Sequence, residues 1–306
     1  MLVPGPGIDH LNDLLRSNEP QRKAKTHWAE SWDRLLERRL GILAGGVILL
    51  FSAIALLAPI LSQFVTHYDP TQQDLANVFA APGRSHWLGT DELGRDTLTR
   101  LVFGARVSIG VAGLTVAMAL TVGTGVGLLA GFSGGWVDDV LMRIVDMLLA
   151  IPAIFLFILM SILLRPNPIT MAGIIAFVAW GSVSRLVRSE VLSVKDREFV
   201  NATRSIGASD LRLVVRHILP NVLPILLVAA SLGVGQVILI EAALDYLGLG
   251  IQPPVASWGN MLTNSQIYIY HSFWLVIVPG VAIFLTVLAA NVFGNAVRDA
   301  SDPRLR

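Results

Sequence analysis

The chain has 306 residues, of which 54% are apolar and only 15% charged, and its mean hydropathy of +0.64 excludes a soluble enzyme of ordinary composition. Lys and Arg number 23 against 22 Asp and Glu, and the resulting net charge of +1 gives no field that would attract nucleic acid. The absence of Cys removes disulfides, thiolate metal sites and Cys nucleophiles from consideration.

A hydrocarbon core of about 30 Å is crossed by roughly 20 apolar helical residues. Taken in chain order, apolar runs of that kind, nearly free of charge, lie at 41–62, 107–132, 144–164, 169–184 (a shorter one), 222–243 and 273–295. They predict an all-α polytopic membrane protein with six transmembrane helices. Residues 1–40 form a tail in which Trp28, Trp32, Leu35 and Leu36 predict a short interfacial helix. A mainly polar stretch of that length precedes the first apolar run, so the run reads as a retained helix and not as a cleaved signal. Residues 63–106 are expected as an outer loop and 107–297 as a five-helix core interrupted by the loop 185–220. Residues 298–306 form the closing tail. If the N-terminus is cytoplasmic, 18 of the 23 Lys and Arg fall on the cytoplasmic face, which predicts both termini inside.

Ionisable residues are costly in mid-membrane and mark proton or ion paths. The six runs are nearly free of them, with Asp146 and Glu241 expected near helix ends, and this argues against a proton-coupled transporter. In the second run Gly123, Gly127, Gly131 and Gly135 recur every four residues, a ridge that lets another helix approach closely. A loose dinucleotide fingerprint at Gly125–Ala130 has no preceding strand and lies inside a spanning run, so it is set aside.

The loop 185–220 is too long and too patterned for a simple connection. Phe199, Ala202 and Ile206 share one helical face, and Leu211, Val214, Val215 and Ile218 share another. Gly207 separates the two, Ser209 is the expected N-cap of the second helix, and Pro220 and Pro224 are expected to mark the turn back into the membrane. A helical hairpin with an apolar stripe among Arg204, Arg212 and Arg216 fits either the anionic lipid surface or a cytoplasmic partner.

Here the residues carry a resemblance. Glu198-Phe-Val-Asn-Ala-Thr-Arg-Ser-Ile-Gly207-Ala-Ser, followed by Arg216-His-Ile-Leu-Pro220-Asn, resembles the coupling-loop motif of membrane subunits of binding-protein-dependent ABC importers. His86-Trp-Leu-Gly-Thr-Asp-Glu-Leu-Gly-Arg-Asp96 with Arg100 and Gly104-Ala-Arg106 is similar to the signature of the C-type permease of dipeptide, oligopeptide and nickel importers. Leu247-Gly-Leu-Gly-Ile-Gln-Pro-Pro254, Ser257-Trp-Gly259 and Arg298-Asp-Ala-Ser-Asp-Pro303 are similar to later signatures of the same family. The resemblance runs from about Trp32 to the C-terminus. Asn201 departs from the motif's Glu, Thr203 from its second Ala and His217 from its Ile, while Asp245 replaces a small neutral residue. Asn201 removes a charge available to an Arg of the ATPase.

The resemblance implies a type I ABC importer permease in a bacterial inner membrane. Its partners are a homologous B-type permease, two ATP-binding subunits and a periplasmic or lipid-anchored solute-binding protein. Residues 196–220 would couple to the ATPases, through Glu198, Asn201, Ala202, Thr203, Arg204, Gly207, Ala208, Ser209 and Leu211. Peptides are the implied cargo, with glutathione, opines or nickel chelates as alternatives. The chain contains no Gly-x-x-x-x-Gly-Lys-Ser/Thr loop, and its Lys residues are confined to positions 23, 25 and 195, so ATP and Mg are expected on partner subunits and no cofactor on this chain.

The outer-loop signature Gly89, Asp91, Gly94, Arg95 and Asp96, with His86 and Glu92, holds enough donor atoms for a metal, but a compact turn tied by Asp–Arg pairing is the expectation, and no metal is assigned. His67 and His271 are isolated in the sequence and are given no ligand role. Trp136, Trp258 and Trp274 are expected as interfacial anchors. The segment 244–272 has neither Lys nor Arg, and Pro253 and Pro254 are expected to stiffen it into a ledge for the binding protein. A membrane enzyme would need a nucleophile or paired acids facing a cavity, and a channel a filter loop or charged ring; the runs show neither.

Overall fold

The structure is a computed structural model and describes residues 38–301. The interfacial helix expected around Trp28, Trp32, Leu35 and Leu36, and the last residues of the closing tail, lie outside the described residues. All named elements are helices: α1 Arg39–Leu56, α2 Ala58–Leu61, α3 Thr97–Ser133, α4 Gly135–Ala150, α5 Ala153–Leu164, α6 Pro168–Lys195, α7 Glu198–Ser205, α8 Asp210–Leu213, α9 Leu219–Tyr246, α10 Ser265–Tyr268 and α11 Trp274–Ser301. Five stretches are long and apolar enough to cross a membrane (α1, α3, α6, α8 running into α9, and α11), and a sixth is formed if α4 and α5 count as one broken span.

The expected third span at 144–164 is therefore not one straight helix, because α4 and α5 meet at 83°. Pro152 supplies the reason: it has no N–H to donate and forces the preceding Ile151 into an extended conformation (φ −87°, ψ 127°). The second span starts ten residues before the expected 107, at Thr97, so 97–106 is helix where loop was expected. The Asp96 carboxylate accepts from the Thr99 N–H at 2.8 Å and caps the new start. With 37 residues α3 is about 55 Å long and extends well beyond a bilayer core. The fourth span reaches Lys195 and not Ser184. It opens on a capping box in which Asn167 accepts from the N–H groups of Ile169 and Thr170. The first span ends at Leu56 and is followed by α2 and a π-turn at Ser62–Thr66.

α3 and α6 run parallel, since Gly123, Gly127 and Gly131 meet Val183, Val187 and Val191 in that order. A Cβ on each glycine would stand 2.6, 2.7 and 2.8 Å from the facing valine Cβ. Apolar helices gain little from mutual burial in lipid, so closeness of approach carries the contact. Gly135 does not belong to this ridge: α3 ends at Ser133, Gly134 and Gly135 both take positive φ, and nothing lies within 4 Å of a Cβ at either. α11 packs on α9 and α1 through Gly294 and Gly45, which meet Leu232 and Phe293. The Arg38 guanidinium, which lies 2.5 Å from the Asp299 carboxylate, ties the start of α1 to the end of α11.

Two cores result. The larger gathers Val111, Ile174, Ile175, Ile238, Leu244 and Trp258 from α3, α6, α9 and the segment before α10. The smaller joins Val187, Val191 and Val194 of α6 to Val200 of α7, Leu213 of α8, Ile218, and Val222 of α9.

Candidate functional site

The smaller core fixes the loop that the sequence singled out. Val200, Leu213 and Ile218 are fully buried, so α7 and α8 are clamped onto α6 and α9. Their other faces are bare: Ile206 is 86% exposed, Leu211 74% and Phe199 42%. The hairpin differs from expectation at its second arm. α8 continues through a π-turn at Val214–Ile218 straight into α9, so Pro220 lies in the first turn of α9 and Pro224 inside that helix, and neither turns the chain. Pro is tolerated in a first turn because that N–H has no helical partner. The His217 carbonyl beside the break accepts from Asn221 Nδ2 at 2.6 Å. Residues 185–195 likewise belong to α6, leaving Asp196–Ser209 as the exposed excursion.

Glu198 begins α7, exposed, and Asn201 turns its amide back to the Asp196 carbonyl at 3.2 Å. Ala202 is exposed, and Thr203 donates to the Phe199 carbonyl at 2.7 Å. The Arg204 guanidinium stands 5.9 Å over the Phe132 ring near the end of α3. Gly207 has φ +86° with nothing within 4 Å of a Cβ, so it turns the chain in open space. Ala208 is half-buried against the smaller core. Ser209 occupies the N-cap position of α8 without a side-chain hydrogen bond. On the same end, Arg188 grips Asp138 of α4 through two hydrogen bonds at 2.5 and 2.6 Å, and Lys195 Nζ donates to the Gly131 carbonyl at 2.9 Å. Asp146 pairs with Arg185 at 2.5 Å.

At the opposite end residues 62–96 fold into a compact cap. Asp91 accepts from the backbone N–H groups of Leu93 and Arg95, both at 2.9 Å, and from Arg95 Nε at 2.7 Å, with Arg100 Nε at 3.3 Å. Arg95 also reaches Glu92 at 2.7 Å. Asp96 holds His86 Nδ1 at 2.9 Å besides capping α3, and His86 stacks on Tyr68. Gly89 and Gly94 have φ of +75° and +72° and pass against the Ala80 and Asp74 backbones, where a Cβ has no room. The expected Asp–Arg pairing is buried: Asp91, Arg95 and Asp96 are at most 5% exposed. Asp74, at the surface, is held below the usual carboxylate range by the Asn77 amide and the Ala76 N–H. Among the described residues no three Asp, Glu or His converge as a metal site. His67 Nδ1 faces the Gln63 carbonyl at 3.0 Å and His271 stacks on Phe79.

Trp258 is no interfacial anchor. It is fully buried, donates from Nε1 to the Leu101 carbonyl at 3.0 Å and meets Phe51 edge-on at 5.8 Å. Trp136 and Trp274 are exposed. Glu241, expected near a helix end, is fully buried together with Asp245, a pairing the apolar flanks concealed in the sequence. Between the two ends an apolar cleft of about 410 Å³ is lined by Ala119, Phe157, Val178, Ser182, Val237 and Gln236, and no ionisable side chain lines it.

Multi-pass apolar helices around an uncharged cleft, with an α7–α8 elbow that leaves an apolar face bare, fit the membrane subunit of a transport assembly. Residues 123–306 match the family described as binding-protein-dependent transport system inner membrane component, and residues 26–82 match the N-terminal TM domain of oligopeptide transport permease C. The chain is 40% identical over 288 residues to the dipeptide transport system permease protein DppC of Alkalihalophilus pseudofirmus, covering 94% of this chain and 93% of that one. It is 37% identical to the glutathione transport system permease protein GsiD of Pectobacterium atrosepticum (93% and 94% covered) and 35% to the oligopeptide transport system permease protein OppC of Bacillus subtilis (93% and 92%). A solved structure of the MetNI methionine ABC transporter in an inward-facing conformation superposes with a TM-score of 0.55 at 19% identity, over 66% of this chain and 96% of that one, which is a likeness of fold. The chain belongs to the family of binding-protein-dependent transport inner membrane components, as a C-type permease of the peptide ABC importer group. It is a multi-pass protein of the bacterial inner membrane.

Proposed function

We propose that this chain forms half of the translocation path of an ATP-driven peptide importer, beside a homologous B-type permease, above two ATP-binding subunits and below a solute-binding protein. Both termini face the cytoplasm, and ATP and Mg are held by the partner subunits. Peptide cargo is supported by the dipeptide and oligopeptide permeases among the relatives, with glutathione as the second reading from the 37% identical one.

The observation that carries the coupling role is the bare apolar face of Phe199, Ile206 and Leu211 on a rigid base of Val200, Leu213 and Ile218. A lever needs both: a surface that gains by being covered, and a buried anchor that passes the displacement into α6 and α9 without bending. Closure of an ATPase dimer gripping this elbow biases the helices between two openings, a shift set by differential binding. An elbow lying on lipid would instead keep no protein partner.

The test is co-purification of the assembly from cells expressing the neighbouring subunits, comparing wild type with Ile206→Asp, Leu211→Asp double substitution. Both side chains are mostly exposed, so the chain itself should still fold and insert. Loss of the ATP-binding subunits, with the second permease retained, is expected; an assembly of unchanged composition and ATPase activity refutes the docking role. Uptake of labelled dipeptides and of glutathione by the intact assembly separates the two cargo readings.

A further inference from the structure

We propose that Glu241 and Asp245 form a buried proton-binding site, in which one proton is shared between the two carboxyl groups and latches the outer segment 250–260 to α9 and α3.

The two residues lie one turn apart on the same face of α9 with 0% and 1% exposure, which brings their carboxyl groups within reach of one another. Glu241 Oε1 accepts from Ser108 Oγ of α3 at 3.1 Å, whereas Glu241 Oε2 is buried with no donor. Asp245 accepts one bond on each oxygen, Oδ1 from the Ile251 N–H at 2.6 Å and Oδ2 from Ser257 Oγ, which leaves lone pairs for a further donor. Ser108 Oγ in turn accepts from the Trp258 N–H at 3.2 Å, and Gly259 passes so near α9 that a Cβ would stand 2.6 Å from the Ala242 Cα. The orphan oxygen and the neighbouring carboxylate thus lack one hydrogen between them. A proton on Oε2, donated to Asp245, satisfies both and leaves the pair one negative charge in place of two.

Among the described residues no cation on the packed elements does this instead, and Arg106 of α3, two residues before Ser108, is exposed. Arg95 and Arg100 line the outer cavity next to Asp245, along with Asp91 and Glu92, and both arginines are engaged by Asp91. α11 has no ionisable residue between Trp274 and Val297, and those of α6 begin at Arg185, toward the opposite end. Segment 247–273 contributes only Tyr268, Tyr270 and His271. Two unpaired buried carboxylates in contact would repel and lack solvation. Three donors, Ser108 of α3 and Ile251 and Ser257 of the outer segment, meet at the pair on α9, so a proton that removes the repulsion within the pair keeps these three pieces together.

The experiment is infrared difference spectroscopy of the full chain in lipid nanodiscs, with thermal unfolding followed on the same samples. The carbonyl band of a buried, protonated carboxylic acid is expected at neutral pH in wild type and absent in Glu241→Gln, whose amide donates to Asp245 in the proton's place. Raising the pH should remove the band and lower the unfolding temperature of wild type together, a coupled loss that Glu241→Gln lacks. Should Glu241→Gln not insert, Ser108→Ala keeps both carboxyls while removing the hydrogen bond to Glu241 Oε1, so the carbonyl band should persist at a shifted frequency. A wild type with no such band, an unshifted band in Ser108→Ala, or stabilisation by sodium, potassium or calcium that Glu241→Gln abolishes, each overturns the proposal, the last by making the site one for a metal cation.

Discussion

Gly127→Ala is the sharpest test of how α3 and α6 are held together. The added Cβ would stand 2.7 Å from both the Ser184 carbonyl oxygen and the Val187 Cβ. Non-bonded atoms settle at about 3.5 Å or more, so α6 must retreat by roughly 0.8 Å, and a gap of that size forfeits about a quarter to a half of each neighbouring dispersion contact. Neither obstacle swings aside, since one is backbone and the other a Cβ fixed to it. We therefore take the upper part of the overpacking range, about 3 kcal/mol, and subtract about 1 kcal/mol for the better helix propensity of Ala, leaving a loss of about 2 kcal/mol. Gly125→Ala, two residues away with nothing within 4 Å, is the control and should be neutral or slightly stabilising. Equilibrium unfolding of the two variants in mixed micelles reads the difference. A Gly127→Ala chain at least as stable as Gly125→Ala refutes close approach as the basis of this contact.

Trp258→Ala should cost about 3–5 kcal/mol by leaving a cavity between α1, α3 and the outer segment, whereas Trp258→Phe should cost about 1–2 kcal/mol, mainly the hydrogen bond to Leu101; unfolding curves distinguish them. Gly207→Ala should lower stability by about 1 kcal/mol through its φ of +86°, and Gly207→Asn by less, since no atom obstructs either side chain. Asp138→Asn should weaken the hold of α4 on α6 by about 1 kcal/mol, seen as faster hydrogen exchange in Gly135–Ala150, because Arg188 is still one-third exposed and water replaces part of the lost bond. Asp74 titrates below its unfolded value of 3.8, so its contribution is present above that pH and is lost as acid protonates it; protection of the 74–77 amides, taken relative to their intrinsic exchange rates, should fall on acidification in wild type and change less in Asp74→Ala.

The membrane class, the number of apolar runs and the family resemblance were legible because each rests on local composition or a contiguous motif. Some missed boundaries had local signals too: Pro152 inside the third run foretells its break, and Asp96-Thr-Leu-Thr99 is a capping sequence ahead of α3. Others had none. Gly135 continues the four-residue spacing perfectly well on paper, but the helix ends two residues earlier. Trp258 sits in a polar, Pro-flanked stretch like an interfacial anchor, yet the chain folds back and buries it against α3.

What the sequence alone determined is therefore what hydrophobicity and periodicity fix within a single segment: which stretches are apolar enough to enter lipid, which helical faces are apolar, and which loop resembles the family's coupling motif. What only the tertiary structure decided is which segments meet. Two carboxyls on α9 become a site through Ser108, 133 positions away from Glu241, and Ser257. The exposed Ile206 and Leu211 differ from the buried Leu213 and Ile218 only in what α6 covers. Burial and hydrogen bonding between distant segments depend on chain path, and no local pattern encodes that path.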